Sequence, residues 1–459
     1  MIVLGSGPGG QKAAIQAAKL GKKVAVVERS DRIGGSSIHT GTIPSKTLRE
    51  AVLDEIAGRP LDLLDPTRPE SHERAAAEHL MDRTARVIAT ETDVVREQFR
   101  RNHVGLVLGE GSFVDEHTIR VEDHESARDF TAEHVVIAVG TSPARPPDVQ
   151  FDDRRVIDSD GILKLEDRVP RSMIVVGGGV IGVEYASMFG VLGTKVTVVD
   201  ARPHVLGFLD REIGEALQFL LRRNNVIFRF NEKVVGVDRK ENGAVTRLAS
   251  GKHIPSDTVL YATGRQGATE HLGLERIGIE PDKRGRIAVD EELRTSVPHI
   301  LAVGDAAGGW GLAATAMEQG RLAALRAFGQ PAQQDPELIP TGVYSIPEIS
   351  MVGHTEEQLT EEATPYVAGV ARWKEMARGI MSGDEDGLLK LLVSPETRKL
   401  LGVHVIGTGG TDLVHIGQAV MGGGLTVDFL TSAVFNYPTF AESYKVAALD
   451  AMNQIGLTA

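Results

Sequence analysis

The sequence has no cysteine among its 459 residues. Disulfide bonds, thiolate catalysis and cysteine-ligated metals are therefore excluded, so any redox chemistry requires a bound cofactor. The chain also lacks an apolar run of the roughly 20 residues that span a bilayer, and we expect no export signal because the first residues already have a strand-like pattern. These absences predict a cytoplasmic protein without a membrane partner.

Positive charge is in deficit as well. With 50 Lys and Arg against 63 Asp and Glu, the formal net charge is −13. A protein that neutralises nucleic-acid phosphates needs clustered cations, so nucleic acid is not an expected partner. Apolar residues make up 42 % of the chain and charged residues 25 %, as in ordinary globular proteins. This length predicts about two to four domains.

Glycine, by contrast, is abundant and clusters at the ends of predicted strands. One unit occurs twice, at residues 1–28 and 172–200. Each copy has an apolar strand, the pattern G-x-G-x-x-G, a helix-period segment, a second apolar strand and an acid, Glu28 or Asp200. The acid follows the last motif glycine at the same spacing in both copies. This order predicts two dinucleotide-binding α/β units, rather than one such unit and a relic copy that only folds.

Each part of the repeated unit has a physical reason. The first glycine allows a tight turn, the second lets the backbone approach a pyrophosphate, and the third lets helix pack on strand. The helix N-terminus then holds the anion, and the acid accepts hydrogen bonds from ribose hydroxyls. The motif glycines are Gly5, Gly7 and Gly10 in the first copy and Gly177, Gly179 and Gly182 in the second.

Three further segments are predicted to contain buried strands of parallel sheets, at residues 134–146, 257–266 and 299–308. The third strand ends in Gly304 and Asp305, just before a helical segment. An acid at the carboxyl end of a strand lies where open α/β sheets bind ligands. Asp305 could instead cap the helix that follows.

These residues together resemble the pyridine nucleotide-disulfide oxidoreductase superfamily over nearly the whole chain. The resemblance rests on "GSGPGG", "GTIPSK", "GGGVIGVE", "ATGR", "AVGD" and "NYPTFAES". Within the superfamily, "YSIPEISMVG", "LVHIGQAVM" and "FNYPTFAESYKVAALDAMN" are most similar to the soluble (Si-specific) pyridine nucleotide transhydrogenases. The resemblance implies FAD in the first unit, NAD(P) in the second, and a C-terminal domain through which the chain forms a homodimer or a higher homo-oligomer.

The implied fold is α/β, with two Rossmann-like dinucleotide-binding domains and a C-terminal α+β interface domain. We expect the FAD domain to comprise residues 1–143 and 263–332, the NAD(P) domain 144–262, and the interface domain 333–459. Residues 59–82 are rich in proline and charge and are expected to form a solvated loop between helices. The interface domain is expected to contain two strands around "SPETRK" and helices near 411–422 and 440–454.

The resemblance also implies particular site residues. Those expected to bind FAD are Gly5, Gly7, Gly9, Gly10, Glu28, Gly35, Ser36, Thr42, Lys46, Gly140, Gly304, Asp305 and Ala313. Those expected to bind NAD(P) are Gly177, Gly179, Val180, Gly182, Glu184, Asp200, Arg202 and Gly264. The expected catalytic pair is Lys46, beside flavin N5, and Glu184, which holds it by an ion pair. A fixed cation there stabilises negative charge that develops on the ring.

Nucleotide choice is expected to depend on two neighbouring residues. A carboxylate at Asp200 favours the free 2′-hydroxyl of NAD and repels the 2′-phosphate of NADP. Arg202 offers a guanidinium that could pair with that phosphate. The combination predicts that both NAD and NADP are accepted.

Two departures from the disulfide-reducing relatives stand out. Those relatives carry a redox-active cysteine pair where this chain has Ser37 and Thr42, and a histidine base where it has Tyr437. Hydroxyls cannot form a redox disulfide, and a phenol is a poor general base at neutral pH, so we expect no disulfide reductase activity. Tyr437 is expected either to pack its ring at the interface or to contact bound nucleotide. His39 is expected to be structural rather than catalytic.

Both nucleotide units remain while the dithiol machinery is missing. This combination predicts FAD-dependent hydride transfer between NADPH and NAD⁺, with the two nucleotides using one site in turn and ping-pong kinetics. One alternative is a flavin NAD(P)H dehydrogenase that reduces a quinone or dye, and acceptor kinetics would distinguish it. Another is a non-enzymatic nucleotide sensor, but a pure binder has no need of Lys46 and Glu184.

Overall fold

The computed structural model describes residues 1–58, 70–164, 169–332 and 338–458. The helices in these ranges are α1 Pro8–Lys19, α2 Ser36–His39, α3 Thr42–Gly58, α4 Glu70–Arg101, α5 Val180–Val191, α6 Arg211–Arg223, α7 Ala313–Ala327, α8 Glu356–Glu361, α9 Ala377–Ser382, α10 Gly410–Gly422, α11 Val427–Ser432 and α12 Ser443–Thr458. The strands are β1 Ile2–Leu4, β2 Ala25–Glu28, β3 Gly105–Leu108, β4 Glu110–Asp115, β5 Thr118–Glu122, β6 Ala127–Thr131, β7 Val135–Ile137, β8 Thr141–Pro143, β9 Val156–Asp158, β10 Ser172–Val176, β11 Lys195–Val199, β12 Val226–Arg229, β13 Val234–Lys240, β14 Gly243–Leu248, β15 His253–Ser256, β16 Thr258–Tyr261, β17 Arg265–Gly267, β18 Ile300–Ala302, β19 Thr341–Val343, β20 Ile349–Gly353, β21 Val367–Arg372, β22 Leu388–Val393 and β23 Leu400–Ile406.

The first unit is built on a parallel sheet of order β18-β7-β1-β2-β3. Strands β1, β7 and β18 are buried throughout, as expected of short apolar strands covered on both faces. Helices α1 and α7 pack together on this sheet. Their backbones approach closely, because a methyl group at Gly320 would overlap the carbonyl oxygen of Gly9.

The second unit repeats the plan with a parallel sheet of order β12-β11-β10-β16-β9. Strand β10, helix α5 and strand β11 correspond to β1, α1 and β2. The returning strands β7 and β16 each pair in parallel with the first strand of their unit, as the sequence predicts. Because the carboxyl ends of parallel strands share one edge, each unit presents its glycine loop and its acid together.

The C-terminal domain is an antiparallel sheet of order β19-β20-β23-β22-β21, covered by α10 and α12. The turn at residues 394–399 joins β22 to β23 as predicted, and the two predicted helices correspond to α10 and α12. Trp373 and Tyr444 are the largest fully buried side chains of this core. In the described part of the chain no helix is long and apolar enough to cross a membrane, and the cytoplasmic location stays a prediction.

A buried ion cluster joins the second unit to the C-terminal domain; we call it the Lys390 centre. The Lys390 side chain is 2 % exposed, and its Nζ lies 2.9 Å from Asp210, 3.2 Å from Glu212 and 2.6 Å from Glu356. Asp210 also caps α6 by accepting the N–H of Glu212. Three carboxylates from two domains thus converge on one ammonium that water hardly reaches.

The prediction of a loop over residues 59–82 is wrong for its second part, because α4 already begins at Glu70. Ala77, Leu80 and Thr84 recur at helical spacing and are buried, while charged residues occupy the opposite face. Charge content was therefore misread as loop character. Residues 59–69 lie outside the described residues. The proposed domain boundaries stay predictions.

Candidate functional site

The first dinucleotide loop joins β1 to α1. A methyl group at Gly5 would overlap the carbonyl oxygen of Ala138, and one at Gly10 would overlap that of Gly5. Gly5 also has φ +100°, a conformation that side chains disfavour. At Gly7 the nearest described atom is 4.0 Å from the position of a Cβ. The loop is therefore tight inside and open at Gly7, as a backbone that approaches a pyrophosphate must be.

Glu28 ends β2 beside this loop and is buried. Its Oε2 accepts hydrogen bonds from the N–H of Ser6 (3.0 Å) and from its hydroxyl (2.6 Å). Its Oε1 accepts a longer bond from the N–H of Ser30 (3.3 Å). The Ser6 hydroxyl in turn accepts the N–H of Gly34 (2.8 Å). Ser6, which sequence reasoning did not single out, thus ties the loop, the acid and the next glycine segment together.

Asp305 follows β18 at the same edge of the sheet, in a short 3-10 turn. Its carboxylate accepts the hydroxyl of Thr141 at 3.1 Å. Arg265 donates to Thr141 twice, to the hydroxyl and to the carbonyl, both at 2.8 Å. The residue that precedes α7 is Leu312, so Asp305 does not cap that helix. Asp305 is thus held in place by Thr141 and Arg265, which lie where the chain passes between the two units.

The other residues expected to bind FAD lie at or near the ends of helices and strands. Gly9 lies in α1, Gly35 contacts Gly7 and precedes α2, Ser36 begins α2, Thr42 begins α3, Gly140 follows β7, Gly304 follows β18 and Ala313 begins α7. Three of these helices, α2, α3 and α7, thus begin at or next to residues expected to bind FAD. Among the described residues no group of three or more His, Asp or Glu side chains could hold a metal ion.

The second loop, between β10 and α5, has the same shape. A methyl group at Gly177 would overlap the carbonyl oxygen of Ala262, and one at Gly182 would overlap that of Gly177. No described atom comes within 4 Å of a Cβ position at Gly179 or Gly264. Val180 begins α5 directly after the open glycine. A pyrophosphate at this loop would meet backbone N–H groups at a helix N-terminus.

Asp200 comes directly after β11 and is buried, and here the two units differ. Its Oδ2 accepts the N–H of Gly178 at 2.5 Å. Arg202 grips both oxygens, with Nε 3.0 Å from Oδ1 and Nη2 2.7 Å from Oδ2. Burial alone would raise the pKa of Asp200, but these bonds outweigh it and hold the pKa below 3.8. The Arg202 side chain is 55 % exposed, so water reaches it although it binds Asp200.

Lys46 and Glu184 meet between the two units, as the resemblance implies. Lys46 Nζ lies 2.8 Å from Oε1 and 2.7 Å from Oε2 of Glu184. Glu184 is 4 % exposed and Lys46 24 % exposed. Lys46 belongs to α3, which follows the segment beside the first loop, and Glu184 belongs to α5, which opens at the second. A largely buried carboxylate thus fixes an ammonium between the two predicted nucleotide sites.

Residues of the C-terminal domain contact the Lys46–Glu184 pair, and the sequence did not predict these contacts. The N–H of Tyr344 donates to Glu184 Oε1 at 2.9 Å, and the Tyr344 ring lies 4.8 Å from Lys46 Nζ. Arg49, one turn after Lys46 on α3, is buried and reaches Glu348 at 3.0 Å. The Arg49 Nε also donates to the carbonyl of Ser345 at 3.0 Å. The spacing of Lys46 and Arg49 on one helix face was the available signal.

The three residues without an expected catalytic role behave differently from one another. Ser37 donates its hydroxyl to the carbonyl of Gly34 at 3.2 Å, a contact that keeps it in the loop. His39 is half-buried and bonds through Nε2 to the carbonyl of Ile33 at 3.0 Å, a local structural contact. Tyr437 is 71 % exposed, so within one chain it neither packs nor lines a site.

Both loops fit a dinucleotide. Each combines an open backbone position at the second glycine, a helix N-terminus and a buried acid at the end of the following strand. In the first unit Glu28 Oε1 makes one long hydrogen bond within the described residues and retains capacity for a ribose hydroxyl. In the second unit Arg202 binds the acid, and its half-exposed, cationic side chain suits a phosphate.

Comparison with known proteins agrees with this arrangement. Residues 1–320 match the family model described as pyridine nucleotide-disulphide oxidoreductase, and residues 339–448 match its dimerisation domain. The chain is 56 % identical over 457 residues to a soluble pyridine nucleotide transhydrogenase of Mycobacterium tuberculosis, covering 99 % of this chain and 97 % of the relative. A soluble pyridine nucleotide transhydrogenase of Hahella chejuensis is 43 % identical, with coverage of 99 % and 98 %.

Solved structures give the same result. The fold matches the HOCl-induced flavoprotein disulfide reductase RclA from Escherichia coli with a TM-score of 0.87 at 28 % identity, covering 98 % of this chain and 99 % of that one. LpdA from Mycobacterium tuberculosis matches with a TM-score of 0.90 at 26 % identity, covering 98 % of each chain. The resemblance inferred from the motifs is confirmed, and so are the α/β fold and the C-terminal dimerisation domain. The chain belongs to the pyridine nucleotide-disulphide oxidoreductase family, whose members are FAD-dependent oxidoreductases that use NAD(P)H.

Proposed function

We propose that this protein transfers hydride between NADPH and NAD⁺ with FAD as its resident cofactor. The observation that carries the proposal is the Lys46–Glu184 pair, which links α3 of the first unit to α5 of the second in a chain without cysteine. A disulfide relay needs two thiols, whereas exchange between two nucleotides needs none. Relatives that share 43 % to 56 % of their residues with this chain bear the name of soluble pyridine nucleotide transhydrogenase.

The first unit would hold FAD through the open loop at Gly7, through Glu28 and through Asp305. When bound, FAD supplies an atom, N5, that accepts and returns hydride. Lys46 presents an ammonium that Glu184 keeps in one position, and such a charge stabilises the negative charge that hydride brings to a neighbouring ring. Because both partners are largely shielded from water, the charge acts at low dielectric and needs little reorganisation.

The second unit would bind NADPH and NAD⁺ in turn. The N-terminus of α5 receives the pyrophosphate of either nucleotide, and Asp200 and Arg202 lie where the adenosine ribose is expected. With NAD⁺, the carboxylate accepts the free ribose hydroxyls. With NADPH, Arg202 leaves one of its two bonds to Asp200 and pairs with the 2′-phosphate. One site of this kind accepts both substrates, so substrates alternate and the kinetics are ping-pong.

The assembly proposed is a homodimer formed through the C-terminal domain. Val434 is 96 % exposed, and Tyr437 and Phe429 are also exposed large side chains on the same domain. Residues 339–448 match a dimerisation domain, and apolar side chains of this size gather at interfaces. Tyr437 would then pack against the second copy.

Anaerobic spectroscopy of the purified protein tests the function directly. The protein should be yellow, NADPH should bleach the flavin absorption, and NAD⁺ added afterwards should restore it. Deuterium at the transferred position of NADPH should reach NADH largely undiluted by solvent protons, because the hydride passes directly between carbon and N5 in a site that excludes water. Flavin that NADPH bleaches but NAD⁺ cannot restore would favour a dehydrogenase with a quinone or dye as its acceptor. A protein that takes up no FAD would refute the proposal altogether.

A further inference from the structure

Tyr344 makes two contacts with the Lys46–Glu184 pair from a third domain. It is the first residue after β19 and is half-buried. Its backbone N–H donates to Glu184 Oε1 at 2.9 Å, while its ring lies 4.8 Å from the ammonium of Lys46. An ammonium within about 6 Å of a ring centroid is attracted by the negative face of the ring. One residue thus contacts both members of the ion pair.

Tyr344 is itself held from several sides. The next residue but one, Ile346, donates its N–H to the hydroxyl of Ser187 at 3.0 Å, and that hydroxyl donates to the carbonyl of Glu184 at 2.7 Å. On the other side, buried Arg49 binds the carbonyl of Ser345 and the carboxylate of Glu348. The segment 344–348 is therefore anchored to α3 and to α5, the two helices that carry Lys46 and Glu184.

We propose that Tyr344 is a positioning residue that sets how strongly the Lys46 charge acts on the flavin. The inference rests on the proposed function, in which Lys46 neighbours the flavin. The Tyr344 N–H satisfies part of the charge of Glu184, so the carboxylate cancels less of the ammonium charge. The ring covers one side of Lys46 and opposes its rotation toward water, where solvent would screen the charge.

This role differs from general support of the fold because it acts through one atom, Lys46 Nζ. A ring that acts only through Lys46 has no effect on the flavin once the ammonium is gone. A ring that merely packs in the core contributes equally with or without that ammonium. The two roles therefore predict different outcomes in a double-mutant cycle.

The experiment measures the flavin midpoint potential and the rate of flavin reduction by NADPH in FAD-loaded protein. The variants are Tyr344→Leu, which removes the ring, Tyr344→Phe, which keeps it, Lys46→Met, and the Tyr344→Leu/Lys46→Met double variant. Tyr344→Met provides a second ring-free variant if the leucine variant folds poorly. Tyr366→Leu is the matched control, because Tyr366 belongs to the same domain and bonds instead to Glu356. FAD content and melting temperature are measured for each.

We expect Tyr344→Leu to shift the potential to more negative values and to slow flavin reduction about three- to tenfold, the range that a cation–π contact supports. Tyr344→Phe and Tyr366→Leu should stay within about twofold of the unmodified protein. The double variant should match Lys46→Met alone, because the ring acts through the ammonium. Matching values would support the positioning role.

Other outcomes overturn the inference. Additive effects in the double variant would make Tyr344 a packing residue, and an unchanged potential in Tyr344→Leu would remove its role. A phenylalanine variant as impaired as the leucine variant would assign the effect to the hydroxyl instead. Failure of the proposed function is distinguishable, because NAD⁺ would then fail to restore NADPH-bleached flavin in the unmodified protein. An unchanged potential and reduction rate in Lys46→Met would instead refute the premise that Lys46 neighbours the flavin.

Discussion

The two dinucleotide units share a fold, a glycine loop and an acid, but they hold the acid differently. In the first unit Glu28 is fixed by Ser6, a neutral hydroxyl and N–H, at 2.6 and 3.0 Å. In the second unit Asp200 is gripped by the charged, half-exposed Arg202 through two bonds. A neutral, buried partner suits one ligand that stays, whereas a charged partner at the surface can move between its own acid and a phosphate. Under the proposed function, this difference explains how one repeated unit serves both a resident cofactor and two exchanging substrates.

The units also differ in how they join the C-terminal domain. The second unit is fastened by the Lys390 centre, and burial of the ammonium is nearly complete at 2 % exposure. The first unit is joined through Arg49, which reaches Glu348 and Ser345 from α3. The connection through Arg49 lies close to the Lys46–Glu184 pair, and the Lys390 centre lies at the start of α6, the helix that follows the Asp200 loop. The C-terminal domain therefore sets where the two units lie.

Loss of the Lys390 centre should have the largest effect on stability. Replacing Lys390 with Met leaves the buried carboxylate of Asp210 without its ammonium, and Glu212 and Glu356, which are partly exposed, lose the same partner. Removal of one partner of a buried pair costs about 3–5 kcal/mol. Chemical denaturation should show this loss chiefly in the second unit. The matched control is Lys374→Met, a lysine of the same domain outside the centre. Equal stability of the Lys390 variant would mean that the centre does not fasten the units.

The Lys390 centre also predicts that the folded protein loses stability at low pH. Burial alone would raise the pKa of Asp210, but the charges of His404 and Lys390 outweigh it and keep the pKa below its ordinary 3.8. A carboxyl whose folded pKa is lowered contributes stability above its unfolded pKa and loses it as the pH falls. We therefore expect the free energy of unfolding to fall below about pH 4, and to fall less in Asp210→Asn. A steeper decline in that variant would contradict the assignment.

Glu28→Ala tests the resident site. Removing a charged acceptor of ribose hydrogen bonds should weaken FAD retention by about 1.5–3 kcal/mol, as measured by equilibrium dialysis of the released flavin. Michaelis constants for NADPH and NAD⁺ in flavin-reconstituted protein should change little, because the acid lies in the other unit. The Ser6→Ala variant should show a smaller loss of FAD, about 1 kcal/mol, since the N–H of Ser6 still holds the carboxylate. If neither change affected FAD retention, Glu28 and Ser6 would not hold the resident cofactor, and the proposed difference between the two units would be wrong.

Arg202→Ala tests the exchanging site and should have the smallest effect. Because the side chain is half-exposed, solvent reduces its phosphate pairing to about 1 kcal/mol, or roughly fivefold in affinity for NADPH. NADH affinity should not fall, whereas Asp200→Ala should weaken NADH selectively. Arg211→Ala, an exposed arginine at the start of α6, is the matched control. Equal losses for both nucleotides in Arg202→Ala would show that the residue does not discriminate between them.

The features that depend on the local order of residues along the chain could be predicted from the sequence. The glycines, Glu28, Asp200, Asp305 and the strands around them follow from spacing along the chain, and resemblance supplied the Lys46–Glu184 pair. Ser6 lies inside the first glycine motif, so its structural role could have been predicted. A serine at that position has several possible hydrogen-bond partners, however, and the sequence does not say which one it binds. The start of α4 was missed because charged residues hide the buried face formed by Ala77 and Leu80.

Contacts made across domains could not be predicted in the same way. Lys390 meets Asp210 across 180 positions of sequence, and Tyr344 meets Glu184 across 160. A lone lysine in an apolar strand or a tyrosine at a strand end has no local pattern that names its partner. Such contacts arise from how the sheets of separate domains are packed, which spacing along one segment does not encode.

The most direct test of the central claim is a grid of initial rates over several concentrations of NADPH and NAD⁺. In the proposed function FAD stays bound in the first unit while the two nucleotides occupy the second unit in turn. We therefore expect parallel double-reciprocal lines, with each nucleotide inhibiting competitively against the other at high concentration. Intersecting lines would require NADPH and NAD⁺ to be bound together, and would contradict a single alternating site.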